Sequence, residues 1–366
     1  MIVLVTGASG FLGRAVAAEL IAAGHEVRAL QRRPSGVDGA TDVLGSITDA
    51  DAVARAIDGA EGVVHLAAKV SLTGAPAQFQ AVNVEGTRAM LDAAERAGVS
   101  RFVQVSSPSV AHAGSALAGV GAEPADPVHA RGEYARTKAE AELLALARDS
   151  PAFQVVAVRP HIVWGPGDTQ LVARVVERAR HGRLPLLDGG TALIDSTYID
   201  NAATGIRAAL DRAPEAHGRA FVLTNGEPRP VGDLLAGICL AAGVPPPRWS
   251  IPASVARAAG SAIERIWAVA PGDDEPPMTR FLAEQLSTAH WFDQRDTRRA
   301  LAWSPTVSID EGLRRLAVSY SPDRTGREPR VSSFRRRRPT PPRGRRASRR
   351  RSAPSRPRPG DDPCAG

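Results

Sequence analysis

Cysteine, aromatic residues and long apolar runs are all scarce in this chain. Its two cysteines, Cys239 and Cys364, stand far apart among 366 residues, one in a helical run and one in a tail. A disulfide framework is excluded, and a cytoplasmic setting is the expectation. No stretch stays apolar for the roughly 18 residues that a membrane span needs. The first strand-like run begins at residue 2, so no signal peptide is expected. None of the eight histidines or two cysteines has partners at metal-ligand spacing, so no metal is expected.

Acidic charge is short only at one end. The net charge of +7 is misleading, because residues 321–366 hold 15 arginines against 4 acids. Residues 1–320 keep 31 basic and 35 acidic side chains, a balance of −4. The tail is rich in Arg, Pro, Ser and Gly and too poor in apolar residues to fold. Apart from Phe334 it lacks interleaved aromatics, so specific nucleic-acid recognition is not expected and a dispensable extension is the leading reading.

With 43% hydrophobic residues the rest of the chain can bury a substantial core, and its length suggests two lobes. An apolar run, Ile2 to Val5, breaks at Thr6-Gly7. A run with Leu12, Val16, Leu20 and Ile21 at helical spacing follows. Between them the glycines fall as Gly7-x-x-Gly10-x-x-Gly13. Glycines permit a tight turn and a close ligand, and the following helix N-terminus suits a pyrophosphate. Further strands read at Glu26–Leu30, Val43-Leu44, Gly62–Leu66, Arg101–Val105 and Gln154–Val158. Helices read at Asp49–Ile57, about Phe79 to Ala97, and Tyr134 to about Arg148. That alternation predicts an α/β fold, a Rossmann-like doubly wound parallel sheet with a smaller C-terminal substrate-binding lobe.

The catalytic candidates lie on two of these segments. The strand Arg101–Val105 ends in Ser106-Ser107-Pro108-Ser109, and Tyr134-Ala135-Arg136-Thr137-Lys138 opens a helix. Tyr134 and Lys138, four apart, share one helix face. A free phenol titrates near 10, and a neighbouring ammonium would lower it toward useful base strength. Tyr134 is the acid/base candidate, Lys138 its activator and Ser107 the donor to the substrate oxygen. Ser106 and Ser109 are rivals for that last role.

Thr6-Gly7-x-x-Gly10-x-x-Gly13, the serine strand end and Tyr134-x-x-x-Lys138 together resemble the extended short-chain dehydrogenases of the epimerase/dehydratase superfamily. Asn83-x-x-Gly86-Thr87 and Arg159-Pro160-x-x-x-x-Gly165-Pro166-Gly167-Asp168 continue the likeness. It covers about residues 1–318 and is most similar to the 3β-hydroxysteroid dehydrogenase and sterol-4α-carboxylate 3-dehydrogenase group. The resemblance implies a dinucleotide domain at 1–164, a substrate lobe at 165–320 with some segments returning to the first, and a disordered tail at 321–366.

It also implies a nicotinamide cofactor held by Thr6, Gly7, Ser9, Gly10, Phe11, Leu12 and Gly13. Ser46 and Ile47, then Leu66, Ala67 and Ala68, then Asn83, Ser106, Tyr134, Lys138 and Pro160 complete the set. Ser46 stands where the family usually has Asp. At the end of the second strand, Gln31 occupies the position of the acid that selects NAD, and Arg32 and Arg33 follow, which favours NADP(H) over NAD(H). Sugar-nucleotide enzymes of this family commonly carry Asn where this chain has Ile162, which points to a less polar substrate.

The expected activity is interconversion of a secondary alcohol and a ketone on a small apolar substrate, sterol-like or a long-chain 3-keto/3-hydroxy acid. A sugar-nucleotide epimerase or dehydratase, or a non-catalytic NADP(H)-binding protein, is the alternative. A homodimer is expected by family analogy. Ile251–Pro271, with Val255, Ala259, Ile263, Ile266 and Trp267 at helical spacing, reads as a core-packed helix, or else as a membrane-surface lid. Trp267, Trp291 and Phe292 are candidates to line the apolar pocket.

Overall fold

A computed structural model of the chain describes residues 1–71, 74–112, 114, 116–269 and 279–321. Its centre is the unit formed by β1 (Ile2–Thr6), the glycine turn and α1 (Phe11–Ala22). Successive strand residues face opposite ways, so Val3 and Val5 enter one core and Leu4 the other. Gly7 takes a left-handed φ of 77°, which only glycine adopts freely. A Cβ on Gly13 would lie 2.2 Å from the Gly7 carbonyl oxygen, so helix and turn touch backbone to backbone. Gly13→Ala is therefore expected to lower stability by about 1–3 kcal/mol through forced separation of the two. A thermal melt checks this, and an unchanged midpoint would show that the helix can shift freely.

β2 (Glu26–Gln31), β3 (Thr41–Leu44), β4 (Gly62–His65) and β5 (Arg101–Val105) follow the sequence expectations closely. β6 (Leu117–Val120) leaves this sheet, and β7 (Gln154–Pro160) rejoins it. The order across the sheet is Arg219–Leu223, β7, β5, β4, β1, β2, β3, with every pair parallel. Strand order reverses between β1 and β4, and a crevice opens at the carboxyl ends there.

The helix expected from Phe79 to Ala97 is instead three pieces. They are α3 (Pro76–Phe79), a π-helical stretch Gln80–Glu85 and α4 (Gly86–Arg96). A π-turn inserts a residue without disturbing the apolar pattern on either side, so periodicity does not reveal it, and such turns gather at functional sites. α2 (Ala50–Ile57), α4 and α5 (Gly132–Leu146) cover one sheet face. The other face is covered by α1 and the helix Ile199–Asp211, whose Ile206 and Leu210 meet Val16 and Leu20.

The expected partition between residues 164 and 165 is crossed in both directions. β6 pairs with His290–Phe292 in a small four-stranded sheet, while Arg219–Leu223 returns to the edge of the large one. The helix expected over 251–271 is Ala253–Val269, but its buried stripe differs. Ala253, Ala256 and Gly260 are buried, whereas Val255 and Ala259 are exposed. A Cβ on Gly260 would lie 2.6 Å from the backbone at Arg280, so close approach to the helix Arg280–Ser287 chose the small face. Pro271 and residues 322–366, which include Cys364 and almost all of the Arg-rich tail, lie outside the described residues. Among the described residues, no helix is long and apolar enough to cross a membrane.

Candidate active site

The glycine turn is one wall of the crevice. Gly10 begins α1 without a side-chain cap, and the first reach back along the helix is Arg14 N–H to Gly10 O (3.0 Å). The N–H groups of the first turn are thereby left for a ligand. Ser9, Phe11 and Leu12 are half-buried there, and the last two lean on the apolar cluster around Trp164 and Val172. A Cβ on Gly7 would come within 3.1 Å of Ala67 N, so turn and loop Leu66-Ala67-Ala68 are adjacent.

Thr6 starts a buried chain of hydrogen bonds. Its hydroxyl accepts from Ala67 N–H (3.0 Å) and meets His65 Nδ1 (2.8 Å). His65 Nε2 meets Thr87 Oγ1 (3.1 Å), which donates to the Asn83 carbonyl (2.7 Å). These bonds fit a neutral imidazole with its proton on Nε2. Burial, reinforced by the charge of Lys138, pushes His65 down to about 3. Both ring nitrogens are occupied, and among the described residues no group of His, Cys, Asp and Glu could hold a metal.

Asn83 sits in the π-helical stretch, almost wholly buried. Its amide holds both polar groups of Lys69, accepting from N (2.7 Å) and donating to O (3.2 Å), and donates to Thr137 Oγ1 (3.0 Å). Thr137 in turn donates back to Glu133 O (2.7 Å) on α5. Thr137 could not be singled out from residue types, because a threonine one turn along a helix carries no signal of its own. Gly86, three residues on, makes room for Ile47, whose terminal carbon would lie 2.7 Å from a Cβ. Ser46 Oγ is bonded to Thr48 Oγ1 (2.8 Å).

At the end of β2, Gln31 is buried and donates to Asp42 Oδ1 (2.9 Å), which also accepts from Ser35 N–H (3.2 Å). Arg32 and Arg33 are exposed beside it.

α5 and the end of β5 bring the three catalytic candidates together. The Ser107 side chain faces the Tyr134 hydroxyl, near enough to oppose the upward shift of the phenol, and Ser109 Oγ donates to Ser107 Oγ (3.0 Å) from behind. Ser106 is different: its hydroxyl is buried without a partner. Lys138 Nζ donates to the Val105 carbonyl (2.5 Å), the last residue of β5. Burial pushes the lysine down to about 8, against the charge of Glu142. Burial pushes Tyr134 up to about 12, with the Ser107 hydroxyl opposing. A tyrosine lowered by the ammonium was expected. In this protein burial raises it instead, and Lys138 Nζ donates to the strand end.

Pro160 is buried at the end of β7. Beyond it Ile162 has φ 44°, a strained value for a β-branched residue. It leans on the Trp164 cluster and offers no polar group. Tyr134 lines a cavity of about 270 Å³ with Phe79, Arg131, Glu264, Arg280 and Phe281 among others. Trp291 and Phe292, expected in the apolar pocket, instead line a separate cavity with Arg298. Trp267 is half-buried on the helix Ala253–Val269.

Residues 3–224 match the model of the NAD dependent epimerase/dehydratase family. The chain belongs to that family. It is 41% identical over 327 residues to a 2-alkyl-3-oxoalkanoate reductase of Stenotrophomonas maltophilia, covering 87% of this chain and 99% of that one. It is 32% identical over 333 residues to a 3 beta-hydroxysteroid dehydrogenase/Delta 5-->4-isomerase of Mycobacterium tuberculosis, covering 87% and 90%. A crystal structure of a short-chain dehydrogenase/reductase superfamily protein from Agrobacterium tumefaciens with bound NAD is 27% identical. It superposes with a TM-score of 0.68 and covers 87% of this chain and 97% of that one. The resemblance to the extended short-chain dehydrogenases thus holds: the chain is an enzyme of the short-chain dehydrogenase/reductase type, and the relatives named above are reductases and dehydrogenases of keto and CH–OH groups. The residues fit the family's dinucleotide. The glycine cradle would be filled by any side chain at Gly13, and Ser106 leaves a buried hydroxyl unanswered at the strand ends.

Proposed function

We propose that this enzyme reduces long-chain 3-oxo acids to 3-hydroxy acids with NADP(H) as the preferred cofactor. The observation that carries the reaction is the placement of the Ser107 hydroxyl beside Tyr134 where β5 meets α5. A reduced nicotinamide, when bound, supplies the hydride that goes to the carbonyl carbon. Tyr134 gives its proton to the carbonyl oxygen while Ser107 donates a hydrogen bond to the same oxygen. A phenol pushed up to about 12 stays protonated at neutral pH, the state from which it can give a proton. Lys138 secures the strand end that presents Ser107 and keeps a positive charge beneath the phenolate that forms.

Thr6 to Gly13 would hold the pyrophosphate, with Leu66 to Ala68, Ser106 and Pro160 along the rest of the dinucleotide. Preference for NADP(H) is supported by Gln31 being tied to Asp42 while Arg32 and Arg33 stand exposed for a 2′-phosphate. The 3-oxo acid class is supported by the 41% relative and by Ile162, which denies a sugar nucleotide its polar grip. The test follows oxidation of NADPH and NADH with a 2-alkyl-3-oxo acid and a 3-ketosteroid in parallel. Turnover of the steroid alone would overturn the substrate assignment.

Reduction should also depend on pH through Lys138. Its ammonium is present below about 8 and is lost above it, well before Tyr134 ionises near 12. With cofactor saturating, kcat/KM is expected to hold from pH 6 to the mid-sevens. Above 8 it should fall by roughly tenfold per unit. A profile flat to pH 10 would remove Lys138 from this role.

A further inference from the structure

Among the described residues, the cavity beside Tyr134 contains one cation that nothing answers. Its carboxylates are engaged: Glu133 accepts from Arg136 Nη2 (2.7 Å), Glu284 from Arg280 Nε (2.9 Å), and Glu264 from the Arg280 backbone N–H (2.9 Å). Glu284 also answers the charge of Arg280. Arg131 lines the same cavity, three residues before Tyr134, and makes no hydrogen bond or ion pair among the described residues. Its guanidinium is nevertheless seated. A Cβ on Gly114 would lie 2.8 Å from Nη2 and 2.9 Å from Nε, and Gly114 has a left-handed φ of 89°. Gly114 belongs to the loop that follows Ser107, so the fork lies where that loop meets the start of α5.

We infer that Arg131 receives the carboxylate of the substrate and thereby selects 3-oxo acids over neutral ketones. This rests on the reductase reading above. In a 3-oxo acid the carboxyl carbon and the ketone carbon are both bonded to C2. A ketone oxygen placed at Tyr134 and Ser107 therefore carries its carboxylate into the immediate neighbourhood of α5. A guanidinium offers that carboxylate two parallel N–H donors in matching geometry, which fixes the orientation of the ketone as well as its charge. The apolar remainder of the substrate meets Phe79 and Phe281 on the other walls.

The experiment compares the wild type, Arg131→Gln and Arg131→Lys on a 2-alkyl-3-oxo acid and on its methyl ester, with NADPH saturating. The ester keeps the chains and the ketone but removes the charge. In Arg131→Gln, kcat/KM for the acid is expected to fall on the order of 10- to 100-fold, mostly through KM, as expected when about 1.4–2.8 kcal/mol of binding is lost. The ester should change less than about twofold, and Arg131→Lys should recover part of the loss. Equal losses on acid and ester, or no loss on the acid, would overturn the inference while leaving the reductase reading intact. A wild type that reduces neither compound would overturn the reductase reading itself. Thermal melts of both variants separate misfolding from lost recognition.

Discussion

Tyr134→Phe is expected to lower turnover of a 3-oxo acid by about 10²–10⁴-fold while leaving cofactor affinity within about twofold. The substitution removes one oxygen and keeps the ring. The proton that must reach the carbonyl oxygen then has no donor of suitable placement, since Ser107 alone cannot supply it without itself becoming an alkoxide. The pyrophosphate would be cradled elsewhere, by the Gly7–Gly13 turn and the loop after His65. Nucleotide titration and steady-state kinetics on the same preparation separate the two effects. Retained turnover would remove Tyr134 as the acid, and loss of nucleotide binding would show that its hydroxyl also holds the cofactor.

Glu142→Ala is expected to cost about 3–5 kcal/mol of stability, because it leaves a buried charge unpaired. Arg159 and Glu142 are both almost wholly buried, joined from Nε to Oε2 at 2.9 Å and through a second contact from Nη2 to Oε1. Arg159 also donates to the Glu123 carbonyl (2.6 Å), which would remain but cannot balance the charge. For a domain of this size the thermal midpoint should fall by roughly 5–15 °C. Glu142 also faces Lys138 one turn earlier on α5, and its charge raises that lysine. The milder Glu142→Gln should therefore lower Lys138 further below 8 and move the alkaline limb of the pH profile down. A midpoint unchanged in the alanine variant would show that water reaches Arg159.

The α/β architecture could be read from residue types because local rules agree along the first hundred residues. Each buried strand is a short β-branched run, each helix has an apolar stripe, and glycine marks the ends. The three catalytic candidates stand out in the sequence for the same reason: a tyrosine and a lysine on one helix face and serines at a strand end are local patterns. The choice of Ser107 over Ser106 and Ser109 does not. The three hydroxyls differ only in where the backbone turns after β5, and the structure sends Ser107 to Tyr134, Ser109 behind it and Ser106 into a partnerless site. The buried stripe of Ala253–Val269 was misjudged because hydrophobicity ranked valine above glycine, whereas the crossing with Arg280–Ser287 required the smallest residues.

By itself the sequence determined the glycine turn, the parallel sheet built on it and the candidates for moving a proton. These depend on neighbours within one helical turn or one strand. Only the tertiary structure decided the π-turn that seats Asn83, the crossing of β6 and Arg219–Leu223 between the two sheets, and the meeting of Arg131 with Gly114 beside Tyr134. It also decided the sign of the shift at Tyr134, where desolvation outweighs the neighbouring Ser107 hydroxyl. Burial and unpaired charge are properties of what surrounds a side chain from every direction, and most of those surroundings come from distant parts of the chain.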